Sequence, residues 1–237
     1  MVLSLFSACT TTQPKKPSGP RELLNDAIFM VKNKDIEEAK AAFKQVMEDY
    51  PDSEERIAAL FYLADLHFKD EEYEEAKFHF QRFTELYPAH KNVDRAYYYK
   101  AMSDFKMIEI SSRDQSHTHK AIEAFDRLIQ GFPESQYRPP AIEKKNVCLQ
   151  TLAKSVFEIG KFYFRTGGYQ SAISRFKELA EQYPGHKFQD EAIFLTGESY
   201  YMEQNFEEAK EFYRSLLQQH PKSAFAKDAR KRLKTLR

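Results

Sequence analysis

Histidines are the side chains of this sequence that first suggest chemistry, because imidazole nitrogens are common metal ligands. His117 and His119 form an H-x-H pair with Asp114 nearby, in what we expect to be an inserted loop. His90 and His186 stand in two similar strings, PAHKNVD and PGHKFQD. An H-x-H pair without further convergent ligands is a weak metal motif, and a histidine repeated by position is explained most simply by a role in a turn. We therefore predict no metal site.

Adjacent carboxylates could act as an acid and a base, and such pairs recur along the chain. The pairs are Glu37-Glu38, Glu74-Glu75 and Glu207-Glu208. Each pair directly precedes an alanine of a repeated string, at the expected start of a helix, where negative charge complements the helix dipole. The sequence has no phosphate-binding glycine loop, no HExxH and no GxSxG. We therefore predict no enzyme activity, no catalytic residues and no cofactor. An enzyme on a repeat scaffold would need unlike catalytic residues that break the repeat.

Composition narrows the class of protein further. The chain has 36 basic and 36 acidic residues, so it lacks the net positive charge that attracts nucleic acid. No apolar run is long enough to span a bilayer as a helix. Only seven glycines occur, and lysine, glutamate, alanine and leucine are abundant, which is typical of helical proteins. We expect a helical protein that binds no nucleic acid.

Five copies of one pattern dominate the sequence. Each copy has an alanine with an aromatic residue four positions later and a proline twelve positions later, and another alanine follows each proline by eight positions. The first alanines are Ala39, Ala76, Ala121, Ala172 and Ala209, and the aromatic residues are Phe43, Phe80, Phe125, Phe176 and Tyr213. The prolines are Pro51, Pro88, Pro133, Pro184 and Pro221, and the later alanines are Ala59, Ala96, Ala141, Ala192 and Ala229.

A second small residue precedes each first alanine. These residues are Ala27, Ala64, Ala101, Gly160 and Gly197, twelve positions earlier in four units and twenty in the third. Small residues at two places let two helices approach closely, the aromatic residue fills the space beside them, and the proline ends the second helix. This is the tetratricopeptide pattern. We predict an all-α fold, a right-handed superhelical solenoid of five tetratricopeptide-like helical hairpins plus a C-terminal capping helix.

Two units carry insertions. The polar segment 109–116 in unit three predicts a loop between its two helices. From Ala141 to Arg165, apolar residues recur every three or four positions, which predicts one helix of about 25 residues, roughly 40 Å long. Cys148 lies within it, where we expect a buried, inert thiol. The basic last helix, AFAKDARKRLKTLR, is interpreted as a cap with a solvated face, and a basic docking surface is the alternative.

The N-terminal string LFSAC, ending at Cys9, resembles the lipobox of bacterial lipoproteins, in which the cysteine is acylated after the apolar segment is removed. Phe6 stands where leucine is usual. No positively charged segment precedes it, so we expect translation to begin upstream. The following polar, proline-containing stretch is the kind of spacer that an anchored domain needs.

Residues 21–237 resemble the BamD/YfiO family, the tetratricopeptide lipoproteins of the outer-membrane β-barrel assembly machinery. The resemblance rests on the strings AIEAFDRLIQGFPESQY and LAKSVFEIGKFYFRTGGYQSAISRFKELAEQYPG, together with the insertion in unit three and the long helix that opens unit four. It implies attachment to the periplasmic face of the outer membrane only through acyl chains, such as palmitate, on Cys9. It also implies that the C-terminal units bind the BamA-type barrel protein and other Bam lipoproteins. The N-terminal units would then receive unfolded outer-membrane proteins, whose final strand is rich in aromatic residues.

The expected organisation has four parts: a signal-peptide remnant (1–8), a lipidated flexible tether (9–20), repeat units one to three with a substrate-facing groove (21–138), and a partner-docking half (139–237). An alternative is a soluble periplasmic adaptor of the CpoB/YbgF type, which the last two units also resemble. A cytoplasmic chaperone adaptor, with residues 1–20 as a disordered tail, is a third possibility.

The first helix of each hairpin is expected to line the concave face, so its inward residues are the candidates for peptide binding. They are Phe61, Asp65, Phe68 and Lys69 in unit two and Arg95, Tyr98, Met102 and Phe105 in unit three. An aromatic wall with a cation at its edge suits an extended segment that ends in an aromatic residue and a carboxylate. Alternatively, Phe68 and Phe105 pack between repeats, and Lys69 or Arg95 is a solvated charge.

Overall fold

A computed structural model of the chain describes residues 19–108 and 114–236, which form eleven α-helices. They are α1 (Pro20–Asn33), α2 (Ile36–Asp49), α3 (Glu54–Lys69), α4 (Tyr73–Leu86), α5 (Val93–Lys106), α6 (Ser116–Gly131), α7 (Arg138–Arg165), α8 (Tyr169–Gln182), α9 (Gln189–Met202), α10 (Phe206–Gln219) and α11 (Ala226–Thr235). Each helix packs against the next along the chain, so α1–α10 form five hairpins and α11 covers the last one. The predicted solenoid with its capping helix is confirmed, and Cys9 lies outside the described residues.

Close contact inside the hairpins explains the small residues of the repeat. A Cβ atom at Gly160 would lie 2.6 Å from Cε1 of Phe176, and one at Gly197 would lie 2.8 Å from Cε1 of Tyr213. Carbon atoms do not approach so closely without a shift of the structure, so the ring of the second helix occupies the space of a missing side chain. The aromatic residues at the other equivalent positions, Phe43, Phe80 and Phe125, are also buried.

The repeated histidines have the structural role that the sequence predicted. Nδ1 of His90 accepts a hydrogen bond from the backbone N–H of Asn92, and Nδ1 of His186 accepts one from the backbone N–H of Phe188, both at 3.1 Å. Each bond fixes the turn that leads into the first helix of the next unit. The three glutamate pairs lie in the first turns of α2, α4 and α10, as predicted.

The helix α7 that opens unit four has 28 residues and is therefore about 42 Å long. It begins three residues before the predicted start, because Pro139 and Pro140 occupy the first turn, where backbone N–H groups are not needed for helix bonds. Cys148 is buried, and burial raises the pKa of its thiol to about 12, as expected for an inert cysteine. Within the described residues, no helix combines the length and the apolar character needed to cross a bilayer.

The insertion of unit three is shorter than predicted at its C-terminal end. His117 and His119 lie in the first turn of α6, so their placement in a loop was wrong. The carboxylate of Asp114 accepts hydrogen bonds from the backbone N–H and the hydroxyl of Ser116, at 2.9 and 2.7 Å, and thereby starts the helix at Ser116. Nδ1 of His117 then lies 3.2 Å from Asp104 of α5, which ties the two helices together.

Candidate peptide-binding site

An open cleft of roughly 580 Å³ lies between α3 and the start of α5. Its apolar surface comes from Ile57, Phe61 and Tyr62, which follow one another along one face of α3. Arg95 of α5 closes one side, with its guanidinium 4.9 Å from the ring centroid of Phe61. Such a cleft, with an aromatic floor and a cation at its edge, has the composition expected of a site for an aromatic, negatively charged group.

Asp65 organises the charges of this cleft. Its carboxylate accepts a hydrogen bond from Nη2 of Arg95 at 3.0 Å and forms an ion pair with Nζ of Lys69 at 2.8 Å. Lys91 and Glu54, which also line the cleft, balance one another in charge. The lining of the cleft thus carries two positive and two negative charges, and Lys69 outside it adds a further positive charge beside Asp65.

The cleft is open because unit two lacks a ring that the three later units possess. In those units, the first helix carries an aromatic residue three positions before its small residue, which we call the inward ring. An aromatic residue at the start of the helix after the hairpin, or in the turn before it, stacks on this inward ring. The pairs are Tyr98–Tyr137, Phe157–Phe188 and Phe194–Phe225, with centroids 5.1, 4.7 and 5.1 Å apart. The equivalent residue beside Phe61 is Asn92. Its amide is smaller than a ring and leaves the space unfilled.

The structure divides the eight predicted groove residues into two sets. One set lies at the cleft or on its rim, and its members are Phe61, Asp65, Lys69 and Arg95. The other set comprises the buried Met102 and the half-buried Phe68, Tyr98 and Phe105, which pack in or against the cluster around α5 and α6. Burial alone does not separate the two sets, because Phe61 and Asp65 are each only 7% exposed. Phe68 lies edge-on to Tyr73 and Tyr99, with centroids 5.4 and 5.0 Å away, so it packs between neighbouring hairpins.

Sequence reasoning missed Asn92, Lys91 and Tyr62, all of which line the cleft. Inward positions were counted only from the small residue of each first helix, and the turn before the helix was not considered. A signal was nevertheless present. In the repeat, an alanine follows each proline by eight positions. The residue four positions before that alanine is Tyr137, Phe188 or Phe225 at the ends of units three to five, but Asn92 at the end of unit two.

A group of three carboxylates between units one and two was not predicted either. Glu37, Asp70 and Glu72 offer oxygens within 4.8 Å of one another, a spacing that could hold a cation. The buried Lys40 fills this role, because its Nζ donates to the three carboxylates at 2.9, 2.6 and 2.7 Å. The cluster is therefore an internal ion-pair network that joins the two units.

The basic cap is held by a similar network. Arg232 of α11 donates two hydrogen bonds to Glu198 of α9, at 2.8 and 2.6 Å, and the hydroxyl of Tyr213 donates to the same carboxylate at 2.5 Å. The guanidinium also lies 4.3 Å from the ring centroid of Tyr201. Arg232 therefore fastens the cap to unit five.

Several known proteins are similar to this chain. The outer membrane protein assembly factor BamD of Caulobacter vibrioides is 31% identical over 94 residues, which are 40% of this chain and 31% of that protein. The protein of the same name from Haemophilus influenzae is 29% identical over 94 residues, 40% of this chain and 36% of that protein. The chain thus matches about a third of the length of these curated relatives.

Among solved structures, a tetratricopeptide repeat protein from Parabacteroides merdae aligns with a TM-score of 0.40 and 16% identity, over 92% of this chain and 73% of that one. This likeness concerns the fold alone. The family described as "YfiO: Outer membrane lipoprotein" matches residues 17–213, which include all five hairpins except the end of α10. The chain therefore belongs to the YfiO family of outer membrane lipoproteins.

Proposed function

We propose that this chain is a scaffold in outer-membrane protein assembly and that the cleft of unit two receives the C-terminal segment of an unfolded β-barrel protein. Membership of the YfiO family supports the general role, as do relatives that are named outer membrane protein assembly factors. The observation that carries the specific role is the missing ring beside Phe61, combined with the cations Lys91 and Arg95 that line the same cleft.

In this proposal, an aromatic side chain of the ligand takes the place that Tyr137, Phe188 and Phe225 take in the later units. The terminal carboxylate of the ligand then pairs with Lys91 and with the guanidinium of Arg95, whose side chain is 34% exposed. A buried aromatic anchor of this kind contributes about 2 kcal/mol to binding. A charge-assisted hydrogen bond to the carboxylate adds selectivity for a free C-terminus.

The C-terminal half, residues 139–237, is proposed to dock the BamA-type barrel protein and other Bam lipoproteins. The long helix α7 supports this, because it carries exposed apolar side chains that a partner could cover. They are Ile142, Val147, Ile159 and Phe162, between 37% and 54% exposed. Acylation of Cys9 would hold the whole scaffold on the periplasmic face of the outer membrane, with residues 9–20 as the tether.

The cleft is tested best by filling it. Phe61 is a poor target for substitution, because its ring lies edge-on to Phe80 and Phe83, at 5.8 and 5.0 Å, and supports the core. Asn92→Phe would instead supply the missing ring. We expect a peptide that ends in phenylalanine with a free carboxylate to bind this variant at least ten-fold more weakly than wild type in fluorescence anisotropy. Asn146→Phe, on the exposed surface of α7, is the matched control.

Amidation of the peptide C-terminus should also weaken binding to the wild-type protein, since it removes the charge that Arg95 and Lys91 recognise. If Asn92→Phe binds the free-acid peptide as well as wild type does, the cleft is not the receptor site.

The anchor and the partners need a separate test. We would recover the full-length protein, expressed from its genomic start, from detergent-solubilised envelopes and identify its partners and the peptide containing Cys9 by mass spectrometry. A BamA-type partner and an acylated Cys9 are the expected result. An unmodified Cys9 without a barrel partner would favour the soluble adaptor of the CpoB/YbgF type.

A further inference from the structure

The last helix, α11, carries most of its positive charge on one face. It has five basic residues and one acidic residue, in a chain whose basic and acidic residues are equal in number. Successive residues of an α-helix are rotated by about 100°, so residues three or four positions apart share a face. The exposed cations follow this spacing and form what we call the basic stripe, which consists of Lys227, Arg230, Lys231 and Lys234. The fifth cation, Arg232, lies to one side and is bound to Glu198.

The basic stripe lacks the carboxylates that accompany cations on other helices. Lys210 pairs with Glu207 one turn away at 2.8 Å, and Arg175 pairs with Glu178 at 2.6 Å. The stripe residues are instead one turn from each other, and no ion pair joins them to a residue that the structure describes. Like charges three or four positions apart on a helix repel one another. The stripe therefore lowers the stability of the helix, which points to a role outside the fold.

The helix dipole accounts for only part of this arrangement. Cations near the C-terminal end of a helix are stabilised by its dipole, which suits Lys234. Lys227 lies in the first turn, where the dipole favours acidic residues instead. The capping role does not require charges of one sign either, because a mixture of both signs also gives a polar outer face.

The exposed face of α11 offers a partner charge but no apolar anchor. The apolar residues of the helix turn towards unit five, where Ala226 and Ala229 are buried and Leu233 packs against the cluster around Tyr213. The centre of a protein–protein interface is typically enriched in aromatic residues and depleted of charged ones. The headgroups of an anionic bilayer attract clusters of lysine and arginine without any apolar contact. Membership of a family of outer membrane lipoproteins also favours a bilayer as the partner.

We propose that the basic stripe of α11 binds the anionic headgroups of a phospholipid bilayer. The long lysine and arginine side chains reach headgroup phosphates while the helix stays packed on unit five. Since no apolar side chain inserts, binding is electrostatic and falls as salt rises. Because α1 and α11 lie at opposite ends of the solenoid, the stripe and an acylated Cys9 would together hold both ends at the membrane. That consequence rests on the proposed acylation, whereas the stripe itself does not.

Cosedimentation with lipid vesicles tests the stripe in the full-length chain, with Cys9→Ser to exclude any acyl anchor. We expect at least ten-fold stronger binding to phosphatidylcholine vesicles that contain about one third phosphatidylglycerol than to vesicles of phosphatidylcholine alone. Lys227→Gln combined with Lys231→Gln should weaken binding to the anionic vesicles at least ten-fold. Lys120→Gln combined with Lys154→Gln is the matched control, because it removes the same charge from exposed positions on α6 and α7 and should leave binding unchanged.

Two further measurements show that charge carries the binding. Lys227→Arg combined with Lys231→Arg should bind the anionic vesicles as wild type does, and about 0.5 M NaCl should release the protein. Equal binding to anionic and neutral vesicles, or an equal loss in the stripe and control variants, overturns the proposal. Stronger binding to a polyglutamate peptide than to the vesicles, at equal concentration of negative charge, also overturns it and assigns the stripe to an acidic protein. The comparison of vesicles with the unsubstituted stripe decides the matter even if a variant does not fold.

Discussion

Units two and four place a charged pair at the same two repeat positions but with opposite signs. In unit two, Asp65 of α3 pairs with Arg95 of α5 at 3.0 Å. In unit four, Lys161 of α7 pairs with Glu191 of α9 at 2.9 Å. Asp65 directly follows the small residue of its helix, and Lys161 directly follows the small residue of its own. The repeat therefore fixes where the pair forms, and the local sequence sets its polarity.

The two units also share a cation beside the inward ring but differ in what else covers that ring. Nζ of Lys161 lies 5.0 Å from the centroid of Phe157, much as Arg95 lies 4.9 Å from Phe61. Phe157 is covered further by Phe188, with the two rings nearly parallel at 5°. Phe61 has no such cover. The difference teaches that one residue of a turn can open a cleft beside a ring that itself stays buried.

The largest effects on stability are expected from removal of the inward rings themselves. Phe157→Ala should lower the free energy of unfolding by about 4 kcal/mol, because the ring is 1% exposed and contacts Phe176 and Phe188. Phe61→Ala should lower it by about 3 kcal/mol, because one side of this ring faces the cleft. Urea denaturation followed by circular dichroism measures both. A larger loss for Phe61→Ala would contradict the contrast between a covered and an open ring.

Exchanging the covering residue should have the next largest effect. Phe188→Asn removes the stacked ring and should destabilise the protein by about 2 to 3 kcal/mol, less than full burial would imply because Phe188 is only partly buried. Asn92→Phe should be neutral or stabilising by up to about 1 kcal/mol, because it adds a stacking partner. Thermal unfolding of the two variants provides the comparison. Destabilisation of similar size in both would show that the open cleft of unit two cannot accept a ring.

Acid should weaken unit two through a histidine pair that unit four lacks. Burial, followed by the charges of His67, Lys44 and Arg82, lowers the pKa of His79 to about 4, while Glu75 acts in the opposite direction. The unfolded state then binds more protons than the folded state below the ordinary pKa of 6.5. Stability is therefore lost as the pH falls from 6.5 towards 4, by about 2 kcal/mol at pH 5.

The variant His79→Phe keeps a ring next to His67, whose ring is 5.2 Å away, but removes the titrating group. Urea unfolding at pH 7.5 and pH 5 should show a smaller loss of stability for this variant than for the wild type. The position equivalent to His79 in unit four is Arg175, so Arg175→Gln serves as the control and should not change the pH dependence. An identical acid response in wild type and His79→Phe would place the acid-sensitive group elsewhere.

The charged pairs should show the smallest difference. A double-mutant cycle with Asp65→Asn and Arg95→Gln should give a coupling energy of about 1 kcal/mol, because the Asp65 side chain is only 11% exposed. The cycle with Lys161→Gln and Glu191→Gln should give about 0.5 kcal/mol, since both side chains are more than a quarter exposed. Coupling in 1 M salt should fall more for the exposed pair. Equal couplings would show that burial does not distinguish the two pairs.

Much of the fold could be predicted because its determinants are local and repeated. Ala39 and Phe43 are one turn apart on one helix face, and Pro51 ends that helix wherever the chain later packs, so spacing alone located the hairpins. The start of α7 was misjudged by three residues because the prediction followed the apolar period from Ala141, whereas Pro139 and Pro140 already lie in the first turn of the helix. The loop of unit three was extended too far because the bonds of Asp114 to Ser116 depend on side-chain geometry.

The candidate site could be predicted only in part, for a different reason. Phe61, Asp65, Lys69 and Arg95 were located because one helical period relates them to the small residue of their helix. Phe68 and Phe105 obey the same period and yet are packed between helices. An inward residue is covered when a side chain of the neighbouring unit packs over it. The spacing of residues within one helix cannot predict that contact.

The sequence by itself thus determined the number of hairpins, their order, the long helix of unit four and the family, because each depends on residue types at fixed separations along one chain segment. Only the tertiary structure decided that Asn92 leaves a gap where Phe188 fills one and that Arg232 fastens the cap to Glu198. These features arise where two units meet. Their physical basis is the fit between side chains from segments about thirty residues apart, which packing in three dimensions alone brings together.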